Sequence, residues 1–139
     1  MHCLIEQQLW QGNAVEAGDV RAILNLGVQA VVDLAAEEEP IRYPRDILVL
    51  RYPIIDGAGN PRWLLESIVS SLHNLLRNEI PTFVYCSAGL SRSPALCSAA
   101  LARFRDVSME DALAIVLGER SLDISTALWS ELVRFHANR

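Results

Sequence analysis

The sequence lacks any apolar run near the roughly 20 residues that a bilayer-spanning helix requires, and the start, Met1-His2-Cys3-Leu4, has none of the basic segment, apolar stretch and small-residue cleavage site of a secretory signal. Cysteine is scarce: three, an odd number, make no disulfide framework and set a reducing, cytoplasmic compartment as the expectation. Cations are outnumbered, 12 Lys and Arg against 17 Asp and Glu, for a net charge of −5. Nucleic acid and anionic membrane both demand clustered Lys and Arg, so neither is expected as a primary partner. His2, His73 and His136 show no ligand-like spacing, so no metal and no cofactor is expected. Repeats and low-complexity tracts are absent too. What is there is 139 residues, 51% hydrophobic and 21% charged. That reads as one globular domain spanning 1–139, monomeric by default, long enough to bury about two thirds of the surface it exposes when unfolded.

The chain is organised around Tyr85-Cys86-Ser87-Ala88-Gly89-Leu90-Ser91-Arg92-Ser93-Pro94. An apolar β-prone run, Thr82 to Tyr85, meets an alanine- and leucine-rich helical run there, so the small residues occupy a strand-to-helix turn. Backbone N–H groups at a helix N-terminus have no partner within the helix, and the macrodipole adds about half a positive charge, which makes the turn an anion site. The same field favours a thiolate over a thiol at Cys86. Arg92, six positions on, carries a planar fork that grips two phosphate oxygens at once.

The rest of the chain supplies strands and helices in alternation. Leu4-Ile5-Glu6 and Leu9-Trp10-Gln11 read as short strands ending at the turn pair Gly12-Asn13, and Asp19 to Leu26 as a helix that Gly27 caps. Ala30 to Leu34 and Ile47 to Leu50 have the composition of buried parallel strands. Between them lies a loop whose Glu37, Glu38 and Glu39 read as a solvated acidic run, or as a feature that repels acidic substrates. Arg42, Arg45 and Arg51 read as surface charges, or as a secondary anion contact. Asn60 is placed as an N-cap with Pro61 as the first helical residue of a long amphipathic helix to about Arg77. After the anion loop come a small-residue helix from Ser93 to Phe104, a helix opened by Ser108 and Asp111 and ended by Gly118, and a last helix from Thr126 to Ala137. The expected fold is α/β, a mostly parallel central sheet of about five strands flanked by helices, with the anion loop at the carboxyl end of a strand.

The spacing Cys-x5-Arg-Ser with Gly89 inside it resembles the signature of the cysteine-dependent protein phosphatases, and most closely the small dual-specificity branch, whose loop ends Gly-x-Ser-Arg-Ser, here Gly89 to Ser93. The opening Trp10-Gln11-Gly12-Asn13-Ala14 is similar to that family's start, and the order of elements matches across nearly the whole chain. Rhodanese-like sulfurtransferases and some arsenate reductases also place a cysteine on an anion-binding loop, and a phosphatase-like module that grips phosphoproteins without turnover is the alternative from another class.

The resemblance implies a phosphomonoester hydrolase acting on phosphotyrosine, phosphoserine or phosphothreonine in proteins. Cys86 is then the nucleophile that forms a phosphocysteine, and the backbone N–H groups from Ser87 through Ala88, Gly89, Leu90 and Ser91 to Arg92 hold the equatorial oxygens with the Arg92 side chain. Ser93 stabilises the departing thiolate, a role that competes with its reading as an ordinary helix-start serine. Asp56, thirty positions before Cys86 on a glycine-bearing loop, matches the family's general acid, although Asp-Gly is also a common turn pair. Gly57 and Gly59 let that loop close over substrate. The loop interior, Ser-Ala-Gly-Leu-Ser, holds no cation, which favours singly phosphorylated targets over polyanions. The sequence departs from the family at Tyr85, where histidine is usual. A phenol offers the loop one hydrogen bond and no positive charge. Cys97 reads as a core thiol or as a redox partner for Cys86.

Overall fold

The strand that ends at Cys86 runs through the middle of the molecule, and its alternating side chains account for the layers on either side. The computed structural model describes residues 1–139. Its elements are β1 (His2–Ile5), β2 (Leu9–Asn13), α1 (Ala14–Gly18), α2 (Val20–Asn25), β3 (Ala30–Asp33), β4 (Leu48–Arg51), α3 (Arg62–Arg77), β5 (Thr82–Cys86), α4 (Arg92–Arg105), α5 (Met109–Leu117) and α6 (Thr126–Ala137). The sheet order is β1-β2-β5-β3-β4, antiparallel only between β1 and β2. All five residues of β5 are buried. Val84 and Cys86 face the main core with Leu9, Val32 and the helices α3 to α6, whereas Phe83 and Tyr85 face a second cluster with Trp10, Val31 and Ala17 beneath α1 and α2. This is the two-residue period of a strand buried on both faces.

The parallel register sets the site. Asn13 pairs with Cys86 and Asp33 with Tyr85, so β2, β5 and β3 finish at one edge, where ligands bind in open α/β sheets. Helix α4 leaves from that edge. Every residue from Arg92 to Ala102 is buried, because Ala95, Ala99, Ala100 and Ala102 let α3, α5, α6 and the sheet approach it closely. Leu96 and Leu101, both fully buried, each contribute about 1.5–3 kcal/mol of transfer free energy.

Three expectations need correction. β4 is an edge strand with Leu48 and Val49 exposed, since it pairs only with β3. A short helix, α1, precedes the expected one: Asn13 caps it, with Glu16 completing a reciprocal capping box, so Gly12-Asn13 opens a helix rather than a free turn. Pro61 is itself the N-cap of α3, and Asn60 serves elsewhere.

Candidate active site

Gly89 makes the turn between β5 and α4 possible. Its φ of +76° lies in the left-handed region, and a Cβ there would meet the Gly12 carbonyl oxygen at 3.0 Å, so both conformation and space call for glycine. The carbonyls of the turn are engaged outward: Ser87 O accepts from Ala14 N, Gly89 O from Gln11 Nε2, and Leu90 O from Asp123 N. The N–H groups of Ala88 to Arg92 have no protein acceptor. A turn with its carbonyls tied back and its donors free is a cradle for an anion, reinforced by the N-terminus of the 14-residue α4.

That cradle floors a cavity of 220 Å³ lined by Asp56, Asp123 and the loop residues from Cys86 to Arg92, apart from Gly89. Gly89 lies behind the loop against Gly12, so of the six expected binding residues it alone does not line the cavity. Wider grooves of 270 and 320 Å³ lie elsewhere and contain neither Cys86 nor Arg92. Ser93 is fully buried beneath the loop, its Oγ 3.1 Å from Cys86 Sγ.

Asp56 reaches the rim from the segment after β4. Ser91 Oγ donates to its Oδ1 at 2.5 Å and accepts from Ser125 N at 2.8 Å, which joins the acid loop, the anion loop and the start of α6. Asn60, expected as a cap, instead closes the acid loop on itself: its Oδ1 accepts from Ile55 N at 2.8 Å while its Nδ2 donates to the Ile55 and Gly57 carbonyls. Gly59 N donates to Glu131 Oε2 of α6 at 2.9 Å. The loop is thus tied by five hydrogen bonds.

Glu37 and Glu39 are exposed, as a solvated run would be, yet two carboxylates of the acidic run also engage the anion loop. Glu37 takes both Nη atoms of Arg92, at 2.7 and 2.5 Å, and Glu38 accepts from Ser87 Oγ at 2.9 Å. The Arg92 hydrogen bonds hold the Glu37 carboxyl below the usual carboxylate range, and the same contact pushes the guanidinium up. End-on pairing through both Nη atoms leaves the Nε edge of the guanidinium for a phosphate. Arg51 supports the acidic segment by donating from Nη2 to the Ala36 and Glu38 carbonyls at 2.6 and 2.8 Å, with its Nε 3.7 Å from buried Asp33. Arg51 is therefore a brace. Arg42 and Arg45 are exposed, and neither lines the cavity that holds Cys86.

Tyr85 differs from the expectation as well. Its ring stacks on Phe83 at 5.8 Å on the face opposite Cys86, and its hydroxyl lies near Asp33 and makes no hydrogen bond to the anion loop. Burial first, then Asp33, pushes the phenol far up. Cys97 lies wholly inside α4 with burial pushing its thiol up, an inert core position rather than a redox partner. Sequence reasoning did not single out Gln11, Glu37 as a partner of Arg92, or Asp33. A carboxamide and a carboxylate set in otherwise apolar strands were the available signals for Gln11 and Asp33.

Comparison with known proteins adds a family to this geometry. The family model described as dual specificity phosphatase, catalytic domain, matches residues 9–138. Dual specificity phosphatase 28 of Mus musculus is 28% identical over 129 residues, covering 91% of this chain and 78% of that protein. Dual specificity protein phosphatase 14 of Homo sapiens is 26% identical over 133 residues, covering 94% and 67%. Among solved structures, human DUSP28 superposes with a TM-score of 0.84 at 26% identity over 96% of this chain and 94% of that one. A mouse putative dual specificity phosphatase complexed with zinc tungstate does so with 0.85 at 27% identity over 97% and 85%.

Proposed function

The chain belongs to the dual specificity phosphatase catalytic-domain family, and on that premise we propose that this protein phosphatase works through a phosphocysteine formed at Cys86. The Cys86 thiolate attacks phosphorus in line, the bond from phosphorus to the leaving oxygen breaks, and Asp56 gives that oxygen its proton. Water then attacks the phosphocysteine, Asp56 takes the water proton, and the electron pair of the phosphorus–sulfur bond returns to Sγ. Arg92 and the N–H groups of Ala88 to Arg92 hold the equatorial oxygens through both displacements, and Ser93 donates to sulfur as it leaves. Ser87, Ala88, Leu90 and Ser91 shape the walls, while Gly89 sets the turn.

The floor of the cavity supports this reading most: a sulfur with a hydroxyl 3.1 Å away, set beneath a loop whose donors point inward and whose only cation is Arg92. Asp56 on the rim supplies the acid that sulfur transfer does not require. Carboxylates of Asp56, Asp123, Glu37 and Glu38 surround that one guanidinium, which favours a singly phosphorylated protein side chain over nucleic acid or a polyanionic lipid. The chemistry calls on no metal or cofactor. The net charge of −5 and the three free cysteines support a monomeric enzyme of the reducing cytoplasm.

Hydrolysis of p-nitrophenyl phosphate tests the proposal. Turnover should persist in EDTA, stop with vanadate or with tungstate, a tetrahedral oxyanion held by a similar mouse protein, and vanish in Cys86→Ser. Full activity in Cys86→Ser, or activity that EDTA removes and a metal restores, overturns it.

A further inference from the structure

Gln11 is a fully buried carboxamide on β2, in contact with the underside of the anion loop. Its neighbours fix its orientation. One terminal atom lies 2.9 Å from Gly89 O, 2.7 Å from Ser93 Oγ and 3.3 Å from Gly12 O. Two of those three groups are carbonyls, which only accept, so the atom facing them is the nitrogen. Its two protons go to the two shortest contacts, Ser93 Oγ and Gly89 O. Ser93 Oγ is then an acceptor from Gln11, with one proton of its own and two places to send it: Cys86 Sγ at 3.1 Å and Gly12 O at 3.3 Å. A hydrogen bond to an ionised acceptor is roughly twice as strong as one between neutral groups, so a thiolate takes the proton. Gln11 Oε1, by contrast, has no hydrogen-bonding partner within the protein. An apolar side chain of similar volume would fill this space without burying an unpaired oxygen, so packing does not account for an amide here.

We propose that Gln11 is a positioning residue: by donating to Ser93 Oγ it directs the Ser93 hydroxyl proton onto Cys86 Sγ. Gln11 touches neither substrate nor sulfur. It acts through Ser93 when Sγ is a thiolate awaiting attack, and again when the phosphorus–sulfur bond breaks and the electron pair returns to sulfur. The inference rests on the phosphocysteine reading given above.

The test follows the pH midpoint of Cys86 alkylation by iodoacetate, in a Cys3→Ser background so that the exposed thiol is silent. Gln11→Met and Ser93→Ala should each raise the midpoint by roughly one unit, the scale of one hydrogen bond to a charged group. The double variant should go no higher than Ser93→Ala alone, because with the hydroxyl gone Gln11 has nothing to direct. Gln11→Glu, near-isosteric but able to accept from Ser93, should raise the midpoint as well, and it provides a second reading should Gln11→Met not fold. A midpoint unmoved in whichever Gln11 variant folds overturns the inference. So does a shift of the same size whether or not Ser93 is present, which indicates general loosening of the loop. Hydrolysis of p-nitrophenyl phosphate by the unaltered protein is measured alongside. No vanadate-sensitive turnover there removes the phosphocysteine reading and this inference together, whereas normal turnover with an unmoved midpoint removes this inference alone.

Discussion

Tyr85 immediately precedes the nucleophile yet contributes on the other face of the sheet, where its hydroxyl meets Asp33 and its ring stacks on Phe83. An imidazole in its place lies beside the same buried carboxylate, and an opposite charge at that range favours the protonated ring. Tyr85→His should therefore place positive charge behind the loop, move the alkylation midpoint of Cys86 to lower pH, and carry the acid limb of kcat/KM with it. Iodoacetate rates against pH in the two proteins decide this. An unchanged midpoint means that the loop amides, the α4 terminus and the Ser93 hydroxyl set the thiolate without help from position 85. Arg92 carries a second prediction at this scale. Arg92→Lys keeps the charge but loses the fork that engages Glu37 at one end and phosphate along the Nε edge, and no lysine geometry replaces both. With one charge-assisted bond forfeited, kcat/KM for p-nitrophenyl phosphate should fall about 10- to 100-fold and vanadate should bind more weakly. A change under twofold excludes bidentate recognition by Arg92.

At the scale of elements, the acid loop is the part whose behaviour the structure changes most. Glycines at 57 and 59 read as hinges of a closing flap, but Asn60, Glu131 and Ser91 hold residues 55 to 60 in place, so Asp56 is presented by a braced loop. Asp56→Asn should slow phosphates with poor leaving groups by the ~10²–10⁴ of general acid catalysis and leave those with very acidic leaving groups much less affected. Kinetics across a series of aryl phosphates reads this directly, and equal losses across the series make Asp56 a structural contact of Ser91. Asn60→Ala should lower kcat in the same leaving-group-dependent way, more mildly, because it frees the loop without removing the acid. Long elements were legible in the sequence for a physical reason. α3 and α6 announce themselves by a 3.6-residue apolar period, and the anion loop by small residues caught between a β-branched run and a helical one. α1 is five residues long, too short for any period, and only the Asn13–Glu16 pair marks it. β4 looked buried because an apolar run cannot tell a central strand from an edge strand; pairing decides that. Within the site, Cys86, Arg92 and Ser93 were legible because they adjoin in sequence. Gln11 and Glu37 were not, because they meet the loop across 82 and 55 positions of chain, through strand order that composition does not encode.

Over the whole molecule, the titratable groups favour neutral pH from both sides, and unequally. His2, His73 and His136 are all lowered from the ordinary 6.5, by burial first and then by neighbouring arginines, with Arg103 acting on both His73 and His136. The unfolded chain takes up those protons at 6.5 and the folded one only at lower pH, so stability declines as pH falls below 6.5. Glu37 and Glu66, lowered from 4.5 by hydrogen bonds from Arg92 and Arg103, extend the decline as pH falls through 4.5 towards their depressed values. These groups are largely solvated, so the acid slope is shallow. On the alkaline side Tyr43, pushed up to about 12, Tyr85, pushed further, and buried Cys97 keep their protons in the folded state while the unfolded chain gives them up at the ordinary 10.0 and 9.0. Their contribution is complete below those values and is lost as pH rises above them, and because the groups sit in the core the loss is steep. Urea midpoints between pH 4 and 11 should therefore trace a plateau near neutrality, a gentle acid shoulder and an abrupt fall above about pH 9. Tyr85→Phe preserves the stacked ring on Phe83 and removes the ionisable hydroxyl near Asp33, so it should flatten part of the alkaline fall. An alkaline limb that is identical in Tyr85→Phe and the unaltered protein means that Tyr85 leaves the core before it ionises, and assigns the fall to Cys97 and Tyr43.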